Sequence, residues 1–268
     1  MSKRFFIFVL MGISILISLF SYANPLWAQE SSETDSMLVA NQLYERGNFA
    51  EALQTYQELV DSGIQESALF YNLGNAYFKQ RDIGRALLNY ERAARLDPRD
   101  DDIQANLKVA REQRNDQYSN VEASALSQMA IFTRSWLTLN EMALIALGLW
   151  LFFTLALLIY WNVSARRLRK PLQYTLLLTF FLLVMALLLL GNRLYIESVR
   201  PQAVVVVEEA NVLSGPGEQY VTEFTLHSGA EVGLIETRGR WVRLTWQSDQ
   251  LQGWVPINAV ETVLVNGR

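Results

Sequence analysis

Two apolar segments, MALIALGLWLFFTLALLIYW (residues 142–161) and YTLLLTFFLLVMALLLLGNRLY (residues 174–195), flank a dozen residues that contain RRLRK (residues 166–170). Each run is long enough to cross a hydrocarbon layer about 30 Å thick. Away from the ends of the spans, only Thr154 and Thr179 interrupt their apolar character, and no soluble partner segment is long enough to cover both runs on all sides. The pair therefore reads as a transmembrane hairpin, with helices over 142–161 and 174–195 and a basic loop over 162–173. Arg166, Arg167, Arg169 and Lys170 sit in that loop, whereas Arg134, Glu141, Arg193 and Glu197 mark the outer flanks. Positive charge stays on the cytoplasmic side, so the loop is expected to face the cytoplasm and both flanks the exterior.

The N-terminus leads to the same topology. Lys3 and Arg4 precede the apolar run FFIFVLMGISILISLF (residues 5–20), and Ala23 or Ala28 offers a small residue for cleavage. Residues 1–28 read as an export signal or an uncleaved anchor. Either way the following chain is exported and lies on the same side as the outer flanks of the hairpin. The expected location is the bacterial plasma (inner) membrane, with both folded ends extracytoplasmic or periplasmic.

Composition narrows the chemistry. With no cysteine and a single histidine, His227, the 268-residue chain has neither thiol chemistry nor a multi-histidine metal site. A net charge of −4 gives no general basic surface for nucleic acid. The acidic group Asp97, Asp100, Asp101 and Asp102 leads into a helix start, where carboxylates cap free N–H groups, rather than into a calcium loop. No nucleophile–base pair or paired acid stands out, so no catalytic residue, metal or cofactor is expected.

Between signal and hairpin lies SALFYNLGNAYFKQRDIGRALLNYERAARLDP (residues 67–98), two amphipathic helices with a turn at Arg81-Asp82. The pattern recurs 34 residues earlier: Ala52, Tyr56, Leu59 and Gly47-Asn48 match Ala86, Tyr90, Ala93 and Arg81-Asp82. A 34-residue helix–turn–helix period, with Leu73-Gly74, Tyr77, Ala86, Tyr90, Ala93 and Pro98 in place, resembles the tetratricopeptide repeat family. Residues 33–115 then comprise a degenerate repeat (33–66), a well-matched repeat (67–100) and a capping helix (101–115). The resemblance implies a concave groove lined by Asn41, Tyr44, Tyr71, Asn75 and Phe78. Aromatic rings and amides in such a groove suit a peptide segment of a protein partner. Residues 116–140 read as an interfacial helix feeding the first span.

Beyond Arg200-Pro201, the runs VVVV, VTEFTL, EVGLIE, WVRLTW and LQGWVP are rich in β-branched and aromatic residues and are separated by glycine turns. About five strands over 203–264 make a small all-β barrel. Asn211-Val212, Gly215-Pro216, Gly229, Trp241 and Gly253-Trp254-Val255 resemble exported bacterial SH3-like domains. Tyr220, Trp241 and Trp254 are its candidate binding residues.

The fold class is thus a multidomain membrane protein: helical repeats, a two-helix transmembrane hairpin and an SH3-like barrel. That order of parts is similar to the BatE-type proteins of the aerotolerance (Bat) family. The resemblance implies a non-enzymatic scaffold working beside von Willebrand A-domain membrane proteins and a MoxR-type ATPase, in tolerance of envelope or oxidative stress. The alternative is a peptidoglycan-binding module that recruits a cell-wall enzyme.

Overall fold

The computed structural model describes residues 30–116, 136–247 and 250–264. The expected export signal and most of the expected interfacial helix lie outside the described residues. Five helices come first: α1 (Glu30–Glu45), α2 (Phe49–Asp61), α3 (Ser67–Lys79), α4 (Ile83–Leu96) and α5 (Asp101–Gln113). They form two helical hairpins and an unpaired fifth helix. The 34-residue period holds at atomic detail in the turns. Asn48 N–H donates to the Leu43 carbonyl at 2.9 Å, and 34 residues later Asp82 N–H donates to the Tyr77 carbonyl at 3.1 Å. Such a closing bond needs a left-handed residue just before it. Gly47 (φ 80°) and Arg81 (φ 64°) fill that position. Arginine is strained there, so Arg81→Gly is expected to stabilise the repeats by about 0.5–1 kcal/mol; a urea midpoint that falls instead would contradict this.

The helices of each hairpin approach closely at small residues. Tyr56 and Tyr90 are buried against Ala52, Ala86 and their neighbours. A Cβ on Gly74 would sit 2.8 Å from the Tyr90 ring, which is why that position carries none. The aspartates after Pro98 start a helix. Asp100 caps α5 by accepting from the Asp102 and Ile103 N–H groups at 2.9 and 3.0 Å.

Helices α6 (Leu139–Asn162) and α7 (Arg166–Val199) are long and apolar enough to cross a membrane. They run antiparallel: the Phe153 and Phe180 rings are 6.0 Å apart, and Gln173 donates to the Tyr160 hydroxyl at 2.9 Å. The connection is shorter than the basic loop expected over 162–173. Only residues 163–165 are non-helical, and Arg166, Arg167, Arg169 and Lys170 occupy the first turns of α7. Arg, Leu, Lys and Gln are good helix formers, and Pro171 removes one helical N–H without ending the helix. At 24 and 34 residues the helices also outrun the expected spans. They extend into the polar residues on either side of the apolar runs.

The C-terminal part has seven antiparallel strands rather than about five: β1 (Gln202–Val205), β2 (Glu209–Leu213), β3 (Thr222–His227), β4 (Glu231–Arg238), β5 (Trp241–Trp246), β6 (Leu251–Pro256) and β7 (Val260–Thr262). Their order is β3-β2-β6-β5-β4-β1-β7. The ladder is open, with β3 and β7 at its edges, where a closed barrel was expected. It is nevertheless curled, because Leu226 of β3 and Val260 of β7 belong to one core with Val212, Val232, Val242, Leu244 and Val255.

The sheet does not stand apart from the repeats. Val204, Val206 and Val263 form a single core with Ala86, Leu87, Leu88 and Tyr90 of α4 and with Leu107 and Ala110 of α5. Strand β1 is buried on both faces: Ala203 and Val205 point into the sheet core and Val204 into the helices. The turn after β3 touches α4, where Gly84 N–H donates to Ser228 Oγ at 3.1 Å. Ions line the seam. Arg92 donates to the Thr262 carbonyl at 2.9 Å and lies 3.6 Å from Glu261, while Arg111 and Arg114 both pair with Glu231. His227 ends β3 and holds Asp116 through its backbone N–H (2.6 Å) and ring Nδ1 (3.0 Å).

The outer end of the hairpin joins the same body. Arg95 reaches Glu197 at 2.6 Å and Arg99 reaches Glu141 at 2.5 Å. Arg193, only 8% exposed, donates to the Leu137 carbonyl at 2.5 Å. Both folded parts therefore sit at one end of the hairpin, opposite RRLRK.

Candidate partner-binding groove

Helices α1, α3 and α5 line the concave side of the repeats. A cavity of about 270 Å³ opens there between Tyr44, Tyr71, Asn75, Phe78, Lys79, Tyr90, Asn106 and Val109. Four of the five groove residues read from the sequence, Tyr44, Tyr71, Asn75 and Phe78, line this one cavity. The fifth, Asn41, lies outside the cavity, three residues before Tyr44 on α1. All five are half-buried, as groove walls are.

An asparagine ladder builds the groove. Tyr56 Oη donates to Asn41 Oδ1 at 2.7 Å, and Asn72 Nδ2 donates to the same oxygen at 3.0 Å. Thirty-four residues later Tyr90 Oη donates to Asn75 Oδ1 at 2.7 Å, and Asn106 Nδ2 donates to it at 2.9 Å. Each asparagine oxygen thus ties the second helix of its own unit to the first helix of the next. Burial pushes the Tyr56 phenol up to about 12 and raises that of Tyr90 as well, so both remain donors at neutral pH. Asn106 also donates to Tyr71 Oη at 3.1 Å, which fixes the Tyr71 ring at the cavity wall. Asn72 and Asn106 escaped the sequence reading, which took Tyr56 and Tyr90 as repeat positions rather than as donors to the ladder. The signal was present, since Asn72 and Asn106 share the 34-residue offset of Asn41 and Asn75.

Residues 67–100 match the tetratricopeptide repeat. That matched unit is α3, α4 and the turn into α5, and it supplies Tyr71, Asn75 and Phe78. Tetratricopeptide repeats are protein-interaction elements, so the match supports a protein-binding role for this face. No curated protein matches the chain.

The candidate residues of the sheet are dispersed. Trp254 is only 5% exposed, and the Arg238 guanidinium lies over its ring, 5.1 Å from the centroid. Trp241 is half-buried at the start of β5. Tyr220 is 43% exposed and stacks against Gly215 in the loop before β3. These three form no common cavity among the described residues. A second cleft, about 210 Å³, lies where the three parts meet. Glu91, Ile196, Arg200, Gln202, Glu231 and Thr245 are among its lining residues. Among the described residues no cluster of His, Asp and Glu has the makings of a metal site.

Proposed function

We propose that this chain is a membrane-anchored, non-enzymatic adaptor that captures a peptide segment of a protein partner in the groove between Tyr44, Tyr71, Asn75 and Phe78. The observation that carries the reading is the division of the repeat surface. The outer face is filled by the sheet and the hairpin end, while the aromatic groove remains open. Aromatic rings of fixed orientation give large contact area at small entropic cost. Residues 33–115 serve as the interaction domain, and residues 203–264 as an SH3-like domain whose curled sheet and glycine turns fit that type.

The signal-like N-terminus and the RRLRK end favour extracytoplasmic placement of both folded parts, with the hairpin turn in the cytoplasm. The domain order resembles BatE-type proteins and favours von Willebrand A-domain membrane proteins as partners, beside a MoxR-type ATPase, in envelope or oxidative-stress tolerance. The peptidoglycan alternative relies on the aromatic residues of the sheet. It is the weaker reading, because Trp254 is covered and Tyr220 stands alone.

The test is affinity purification of full-length protein from solubilised membranes, with Tyr71→Ala and Phe78→Ala combined. Phe78 makes no ladder bond, and Tyr71 accepts one from Asn106, which keeps its bond to Asn75, so partners are expected to fall at least tenfold while thermal stability drops by no more than about 2 kcal/mol. Asn75→Ala serves as the contrast. It strands the Tyr90 hydroxyl and one Asn106 donor, and is expected to cost about 2–3 kcal/mol of stability. Unchanged partner recovery in the double variant would sink the groove reading.

A further inference from the structure

We propose that the RRLRK end of the hairpin is a binding site for anionic phospholipid headgroups, an inference that rests on α6 and α7 being membrane spans. Because these residues are helical, their charges have fixed spacing. Arg166 faces Arg169 and Lys170, and Arg167 faces Lys170, at the three- and four-residue offsets that bring side chains together on a helix. Like charges at those offsets repel. All four side chains are exposed, and no described carboxylate pairs with any of them.

Among the described residues no acid is near enough to help. Between Glu141 and Glu197 there is no Asp or Glu, and both of those pair at the opposite end of the spans. That end is roughly 40 Å away, about five Debye lengths at physiological salt. The described residues supply no countercharge, so it comes from an anion beyond them.

Depth along α7 says from where. Gln173, bonded to Tyr160, marks one polar boundary, and Arg193, bonded to the Leu137 carbonyl, marks the other. The helix between them rises about 30 Å, the thickness of a hydrocarbon core. Arg169 and Lys170 lie about 5 Å beyond the first boundary and Arg166 and Arg167 about 10 Å, the depth of the headgroup layer. Trp161 and Tyr174, both exposed, flank the cluster at the level where aromatic belts form. Arg169 Nε donates to the Val163 carbonyl at 3.2 Å, which leaves its charge without a carboxylate like the other three. Four cations at headgroup depth, ringed by interfacial aromatics and lacking a carboxylate partner among the described residues, recognise lipid phosphate.

The experiment uses purified full-length protein in vesicles of equal phosphatidylglycerol and phosphatidylcholine. One lipid at a time carries a brominated chain. Quenching lost on Trp161→Phe isolates the signal of Trp161. Brominated phosphatidylglycerol is expected to quench Trp161 about fivefold more than brominated phosphatidylcholine. The preference should disappear when Arg166, Arg167 and Arg169 become Gln together with Lys170→Gln. Equal quenching by the two lipids in the unaltered chain overturns the proposal, as does a preference that survives the fourfold change. Loss of the preference in millimolar inorganic phosphate would assign the site to free phosphate and overturn the lipid assignment. Alkaline carbonate extraction is the separate control: protein released from the vesicles removes the spans themselves, and the proposal with them.

Discussion

Gly84→Ala is expected to separate the sheet from the repeats and to cost about 2–3 kcal/mol. Gly84 is the second residue of α4, where alanine ordinarily stabilises a helix by about 1 kcal/mol. Here the added Cβ would lie 2.4 Å from Ser228 Oγ and 2.6 Å from the Val205 carbonyl. The serine can rotate away, but the carbonyl belongs to β1 and cannot. It also accepts the Gly229 N–H at 2.9 Å within the turn that touches α4. Hydrogen exchange should accelerate at Gly84 and Gly229, with urea stability lowered, while the Tyr90–Asn75 ladder stays protected. The sign decides the matter: an alanine variant more stable than the parent means that the sheet does not rest on α4.

Glu231→Gln should have a comparable effect, with a pH signature. Burial by itself would raise the Glu231 pKa. The hydrogen bond to Glu91 and the Arg111 and Arg114 guanidiniums outweigh burial and hold the carboxyl near 2. A carboxylate with a depressed folded pKa contributes stability that is complete above its unfolded value, about 4.3. That contribution is lost as the pH falls from there toward 2. Glu91, Glu261, Asp116 and His227 face the same seam. The parent should therefore lose docking in acid, as the Arg111 and Arg114 guanidiniums lose the Glu231 charge. Glu231→Gln should be weakened by about 2–4 kcal/mol at pH 7 and show a flatter acid limb. Stability against pH for both proteins checks this; parallel curves would remove Glu231 from the latch.

These two variants bear on function because α4 joins all three parts. Tyr90 holds the groove ladder, Arg92 holds the sheet edge and Arg95 holds the hairpin end, within two turns of one helix. The groove therefore has a fixed attitude to the end of the spans. The sheet is not a second module on a free tether, so a gain from tethered effective concentration does not apply to the pair.

Much of this protein is legible from local pattern. The spans follow from apolar length, and the repeats from a 34-residue period that encodes its own contacts. Tyr44, Tyr71, Asn75 and Phe78 meet in one cavity because residues at three- and four-residue offsets share a helix face whatever surrounds it. The turn at Arg81-Asp82 was equally local. Other features had no local signal. The helical state of RRLRK depends on how short the hairpin connection is, and the seventh strand is three residues closed by long-range pairing with β1.

The docking of sheet on repeats was hinted at only by VVVV (residues 204–207), an apolar run without alternation, which signals a strand covered on both faces. What covers the second face cannot be read from the run. The covering residues lie more than ninety positions away, in α4 and α5, and Glu231 meets Arg114 across a separation of 117. Contacts within a repeat or along a helix are set by periodicity, which a sequence carries. Contacts between distant elements are set by complementary shape and charge, which exist only once both surfaces have folded.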